Sequence, residues 1–111
     1  MSYQVDRRRW QQMSIQEQMG NIYSEVGRAF LARERNQTQR CRQAVMRALD
    51  LFSATVEGLV AEGSPRAKEV SRAKDQFLRA LYGELDSPAE RQKLEKYFRA
   101  YALAMRRPSS E

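Results

Sequence analysis

The 111-residue sequence contains no histidine, and its single cysteine is Cys41. Histidine is the commonest general base near neutral pH and the commonest metal ligand, so its absence removes the usual means of acid–base and metal-centred catalysis. A di-metal carboxylate bundle needs Glu-x-x-His pairs, which cannot exist here. Cys41 has no imidazole to activate it, and we expect a buried, inert thiol. The sequence therefore predicts a protein that is not an enzyme and uses no metal or cofactor.

Long apolar runs and internal disulfides are also missing. No segment approaches the roughly 18 apolar residues that span a bilayer. The opening residues MSYQVDRRRW lack the apolar stretch of a secretory signal. One cysteine cannot form an internal disulfide, which favours a reducing compartment. We therefore expect a cytoplasmic protein that does not contact membranes.

Positive charge is in excess. The chain has 20 Lys and Arg residues against 14 Asp and Glu, a formal net charge of +6, and most of the basic residues are arginines. Arginine presents a planar fork that binds phosphate or carboxylate in a bidentate way. Such a balance is typical of nucleic-acid-binding proteins, although a solvated charged face or a protein partner would explain it equally well.

Capping residues mark the start and end of the first two predicted helices. Ser14 and Glu17 form a capping box that begins the first helix, which should run to about residue 35. Asn36 or Thr38 is the expected cap of the second helix. Gly63 should end that helix, because glycine accepts the left-handed conformation found after a helix C-terminus.

Proline and glycine delimit two further helices. Ser64–Pro65 should begin the third, with the serine as cap and the proline at the first helical position. Gly83 interrupts the third helix, and Ser87 with Glu90 forms a second capping box. Pro108 should stop the fourth helix.

These elements define an all-α fold class, which we interpret as an antiparallel up-down-up-down four-helix bundle. The bundle would occupy residues 14–107, between a short basic N-terminal arm at 1–13 and a C-terminal tail at 108–111. Loops of two to five residues require neighbouring helices to be antiparallel. Trp10 and Met13 are expected to dock the arm onto the bundle.

Arginines near the first helix–helix turn and in the arm are the candidate nucleic-acid contacts. Five arginines surround the turn with only Glu34 against them, and the three in the arm should stay exposed. Contacts of this kind are directed at the phosphate backbone and read few bases. Tyr3, Trp10 and Tyr82 are the candidate aromatic residues for base stacking. The predicted nucleic-acid-binding residues are Arg7, Arg8, Arg9, Arg33, Arg35, Arg40, Arg42 and Arg47.

Small residues along one side of the first helix suggest a second surface. Glycine in a helix interior costs about 1 kcal/mol relative to alanine, so two in one helix require a compensating contact. That contact is either tight packing inside the bundle or a partner, such as another protein or another copy of the chain. Polar residues beside the apolar stripe could add a row of hydrogen bonds. The predicted interface residues are Gly20, Asn21, Ser24, Glu25, Gly27 and Arg28.

Two stretches of the chain carry distinctive patterns. The first is WxxMSIxEQ at Trp10–Gln18, which continues into NIxSEVGRA at Asn21–Ala29. The second is LEKYF at Leu94–Phe98, followed by Tyr101. Together they resemble a family of small, uncharacterised bacterial helical proteins. No activity is assigned to that family, so the resemblance supplies no catalytic residues.

Size, helix number, basic charge and the string Glu25–Arg28 are also similar to the four-helix-bundle accessory proteins of diversity-generating retroelements. Those proteins form ring-like homo-oligomers and work with a reverse transcriptase and its RNA. The resemblance implies RNA rather than DNA, a larger protein partner and a possible homo-oligomer. We therefore predict a non-enzymatic accessory subunit of a ribonucleoprotein. The alternative is a protein adaptor or homo-oligomeric scaffold without nucleic-acid contact.

Overall fold

The computed structural model describes residues 4–83 and 88–106, and the described chain is all-helical. Its five helices are α1 Arg7–Gln11, α2 Ile15–Glu34, α3 Thr38–Ala61, α4 Arg66–Tyr82 and α5 Pro88–Arg106. Within these ranges no helix combines the length and hydropathy needed to cross a membrane. Tyr3, Ser87 of the second capping box, and the predicted tail with Pro108 lie outside the described residues.

The predicted helix ends are largely confirmed, with two corrections in the connections. The Ser14 hydroxyl accepts from the Glu17 amide at 3.1 Å, and the Glu17 carboxylate accepts in return from the Ser14 amide. Gly63 follows α3 with a φ of 69°, as expected of a residue just beyond a helix. The prediction that Asn36 or Thr38 caps α3 is wrong, because Gln37 occupies that position.

Asn36 instead ends α2 in the left-handed conformation, with a φ of 57°. The Gln37 amide bonds to the Ala32 carbonyl at 2.8 Å, and the Asn36 amide bonds to the Arg33 carbonyl at 3.0 Å. These two bonds are the Schellman arrangement, which fixes the turn between α2 and α3. The second correction is smaller: α4 begins at Arg66, one residue later than predicted.

The core contains one fully buried phenylalanine from each long helix: Phe30 of α2, Phe52 of α3, Phe77 of α4 and Phe98 of α5. Their rings form a continuous chain. The ring centroids of Phe30 and Phe77 are 5.9 Å apart, and the centroid of Phe52 lies 6.3 Å from those of both Phe77 and Phe98. Burying a side chain of this size stabilises the fold by about 2–3 kcal/mol. The apolar spacing of three and four residues therefore directs all four helices to one core.

Each long helix contacts two principal neighbours. Helix α2 lies against α3 and α5, and α4 lies against the same two helices. Arg91 of α5 reinforces one of these contacts, because it forms an ion pair with Glu34 at the end of α2 and stacks 4.5 Å above the Phe30 ring. The Arg91 guanidinium lowers the pKa of the Glu34 carboxyl.

Residues of the arm fold onto α3. Trp10 is buried, as predicted, and its indole N–H donates to the Thr55 hydroxyl at 2.9 Å. The Gln11 side chain bonds to the Ala54 carbonyl at 2.8 Å and occupies the space where a Cβ on Gly58 would lie. The arm is therefore joined to α3 by specific polar contacts as well as by apolar packing.

Candidate nucleic-acid interface

A groove of about 330 Å³ lies along α2 and α3 beside the turn that joins them. Its lining consists of four arginines, two glutamines, one leucine and one alanine. The arginines are Arg28 of α2, Arg35 directly after the end of α2, and Arg40 and Arg47 of α3. Three of these four were predicted as nucleic-acid contacts, and the structure brings them together in one concave surface.

A buried carboxylate holds one end of the groove in place. Glu25 is 8% exposed, and its two oxygens accept from Arg28 at 2.5 Å and from Arg47 at 2.9 Å. Each guanidinium has five N–H donors, so these contacts leave donors on both arginines for a further anion. Glu25 therefore orients two cations, and the groove keeps an excess of positive charge.

The four arginines form two pairs at the two ends of the groove. Arg28 lies near Arg47 because both bind Glu25, whereas Arg35 and Arg40 flank the α2–α3 turn. Seven residues separate the ends on each helix, which corresponds to about 10 Å along the helix axis. One small anion can satisfy one pair, whereas a polyanion with repeated phosphates can satisfy both.

The remaining predicted arginines lie elsewhere. The Arg33 guanidinium donates to the Leu81 carbonyl at 2.7 Å, at the end of α4. Arg42 lies on the other side of the α2–α3 turn. Arg7 is half-buried and pairs with Asp50 at 2.8 Å and with a second α3 carboxylate, in contrast to the exposed position expected for it. Hydrogen bonding and charge at Asp50 raise the pKa of Arg7.

Arg8 and Arg9 are exposed, but α1 lies beside the second half of α3. Its contacts with α3 begin at Asp50, three residues beyond the groove residue Arg47, or about 5 Å along the helix. The arm therefore meets α3 about one helical turn beyond the Arg47 end of the groove.

The small-residue side of α2 faces outward. Gly20, Ser24 and Gly27 are all exposed, and among the described residues no atom outside the local helix backbone lies within 4 Å of a Cβ built on either glycine. The proposed tight packing inside the bundle is therefore wrong. The physical reason is that α2 buries a different stripe, which includes Met19 and Val26, against the core.

The expected row of Asn21, Glu25 and Arg28 is also corrected in part. Asn21 is exposed and donates to the carbonyl of Glu17 in its own helix at 2.8 Å. Glu25 is buried rather than displayed at an interface, and it bonds to Arg28. Arg28 is thus part of the groove, although its residue pattern suggested a protein contact.

Sequence reasoning missed Arg28 as a groove residue, although a signal for it exists. A turn centred near residues 37 and 38 places residues at equal distances before and after it opposite each other in an antiparallel pair. Residue 28 then faces residue 47, and residue 35 faces residue 40. Knowing the turn centre in advance would have predicted both pairs.

The aromatic candidates separate clearly. Trp10 is 5% exposed and cannot stack on a base, whereas Tyr82 is 60% exposed at the end of α4. Tyr82 lies beside Cys41 and Arg42 in a pocket of about 240 Å³. Partial burial raises the pKa of the Tyr82 hydroxyl, and the neighbouring Cys41 thiol adds to that shift while Arg42 opposes it.

Comparisons of the chain with protein families, with curated proteins and with solved structures find no match. Within residues 4–83 and 88–106, no three side chains of the types that ligate metals come together in a possible metal site.

Proposed function

We propose that this protein is a non-enzymatic nucleic-acid-binding subunit of a larger cytoplasmic ribonucleoprotein. Helices α2 to α5 would form an antiparallel up-down-up-down bundle that presents the α2–α3 groove to a phosphate backbone. The observation that carries the proposal is the convergence of Arg28, Arg35, Arg40 and Arg47 in that groove. The choice of RNA over DNA rests on the resemblance to retroelement accessory proteins.

The side chains that line the groove favour contact with the phosphate backbone of a nucleic acid over recognition of its bases. Guanidinium groups bind phosphate oxygens in a bidentate way, and such contacts position a protein without selecting sequence. Gln37 and Gln43 add neutral donors to the lining. Gly27, which precedes the groove residue Arg28, is exposed and has no side chain, so a strand can approach α2 closely there.

The test is a double charge reversal, Arg35→Glu with Arg40→Glu, assayed for binding to a 20-nucleotide single-stranded RNA at low salt. Both side chains are exposed, so the fold should survive. We expect affinity to fall by about 100-fold or more, because the variant loses at least two charge-assisted hydrogen bonds worth about 1.5–3 kcal/mol each.

A matched control separates the groove from general attraction by net charge. Lys68→Glu with Arg72→Glu changes the net charge by the same amount on the exposed side of α4. We expect its affinity to stay within about threefold of the unmodified protein. Equal losses in the two double variants, or no loss in the groove variant, would remove the groove from the interface.

A second candidate function is a protein adaptor or homo-oligomeric scaffold. The observation that favours it is the outward stripe of Gly20, Ser24 and Gly27, which continues to Leu31 at 44% exposure. A partner helix could approach the backbone closely along such a stripe. Sedimentation equilibrium distinguishes the two functions: an assembly that Gly27→Leu dissociates would support the scaffold, and a monomer without affinity for RNA would favour a separate protein partner.

A further inference from the structure

The pocket that contains Tyr82 lies on the opposite side of the α2–α3 turn from the groove. Its volume of about 240 Å³ is larger than a single nucleobase. Tyr82, the last residue of α4, lies in its wall with more than half of its surface exposed. An exposed aromatic ring in a small pocket is a platform on which a flat base can stack.

Polar side chains of the turn complete the pocket. Asn36, Gln37 and Thr38 supply amide and hydroxyl groups, which can donate to and accept from the edge of a base. Arg42 adds a positive charge next to the ring. The Schellman bonds fix the backbone at Asn36 and Gln37, so the points from which these two side chains project are set before a ligand arrives.

The pocket and the arginine groove meet at Gln37, which lines both of them. Arg40 of the groove and Arg42 of the pocket are two residues apart on α3 and therefore point to different sides of the helix. A strand whose phosphates occupy the groove would therefore pass the pocket at the turn. One strand could therefore place its phosphates in the groove and one base in the pocket.

We infer that the Tyr82 pocket binds one unpaired nucleobase of a single-stranded nucleic acid, with Tyr82 as the stacking platform and the polar side chains of the turn as partners for the base edge. This inference rests on the proposed function, and it names the ligand class as single-stranded. In a duplex the bases stack on one another, so none is available to the pocket without unpairing.

The experiment measures fluorescence anisotropy of a labelled 20-nucleotide RNA, single-stranded or annealed to its complement, with the unmodified protein and with Tyr82→Ala. Stacking on an aromatic ring typically contributes about 5- to 100-fold in affinity per base. We expect Tyr82→Ala to weaken binding of the single strand within that range and to leave duplex binding within about twofold. The preference for the single strand should therefore disappear.

Two controls make the result specific. Tyr82→Phe keeps the ring and removes the hydroxyl near Cys41, so it should retain the preference for single strands. Val60→Ala removes an exposed apolar side chain from another part of the surface and should have no effect. If both control variants lose the preference for single-stranded RNA, that preference does not come from stacking on Tyr82, and the inference is overturned.

The outcomes distinguish this inference from the proposed function. If Tyr82→Ala binds both RNAs as the unmodified protein does, or weakens both equally, the base pocket is refuted. The phosphate groove would still stand if the reversal of Arg35 and Arg40 abolishes binding. If the unmodified protein binds neither RNA at low salt, both proposals fail together.

Discussion

Two buried polar residues fix the arm and two arginines of the groove, which apolar packing alone would not position. Thr55 is 1% exposed, and its hydroxyl accepts the indole N–H of Trp10, which fixes the arm against α3. Glu25 is 8% exposed and fixes two arginines at the surface. A buried polar group is stable only where its hydrogen bonds are satisfied, so each of these residues specifies one geometry.

The hydrogen bond between Thr55 and Trp10 can be tested by substitution. Thr55→Val keeps the shape of the side chain but leaves the buried indole N–H of Trp10 without a partner. We expect the free energy of unfolding to fall by about 1–3 kcal/mol, measured by urea denaturation. Thr55→Ser keeps the hydroxyl, so it should retain the hydrogen bond and lose only the methyl group's packing. A Thr55→Val protein as stable as the unmodified one would show that this bond does not hold the arm.

At the scale of single elements, the helices were predictable because their signals are local. The box at Ser14 and Glu17 and the glycine at residue 63 act within a few residues of themselves, so they can be recognised without tertiary structure. Asn36 was misassigned because asparagine both caps helix starts and adopts the left-handed conformation after helix ends. Its role became clear only from the bonds made by its backbone and that of Gln37.

A substitution at Gly27 tests whether the outward side of α2 is free of contacts. Gly27 is in the helix interior, and a Cβ added there has open space among the described residues. Gly27→Ala should therefore stabilise the monomer by about 1 kcal/mol, from helix propensity and reduced freedom of the unfolded chain. The measurement is urea denaturation at two protein concentrations, with Gly20→Ala as the parallel variant.

The opposite result would be informative about α2. If Gly27→Ala lowers stability, and does so in a concentration-dependent manner, the bare side of the helix is covered by a second copy of the chain. That outcome would support the homo-oligomeric scaffold over the monomeric nucleic-acid subunit.

At the scale of the whole molecule, the sequence predicted where positive charge is dense but not how it is divided. Five arginines near the turn look like one cluster in the sequence, yet the fold divides them between two surfaces. Arg35, Arg40 and Arg47 line the groove. Arg33 and Arg42 line the Tyr82 pocket, where Arg33 bonds to the end of α4. Arg28, seven residues before Arg35, also lines the groove, although it lies outside the cluster at the turn. Such groupings depend on which helices are neighbours and on how each is rotated, and neither is encoded locally.

The arm shows the same limit. Its three consecutive arginines look alike in the sequence, but Arg7 pairs with Asp50 and Arg8 is exposed. Docking of Trp10 turns one side of α1 toward α3, so only the residue on that side meets the acids of α3. The pattern of charges in the sequence therefore indicates a class of partner, but the contacts of each arginine can be assigned only once the fold is known.

Phosphate binding by the α2–α3 groove is tested most simply by the affinity of the unmodified protein for single-stranded RNA across a salt series. Each neutralised phosphate on a single strand contributes about −0.7 to the slope of log affinity against log salt concentration. With four arginines in the groove, we predict a slope of about −2 to −3. The absence of binding at low salt, or an affinity that does not change with salt, would contradict the account.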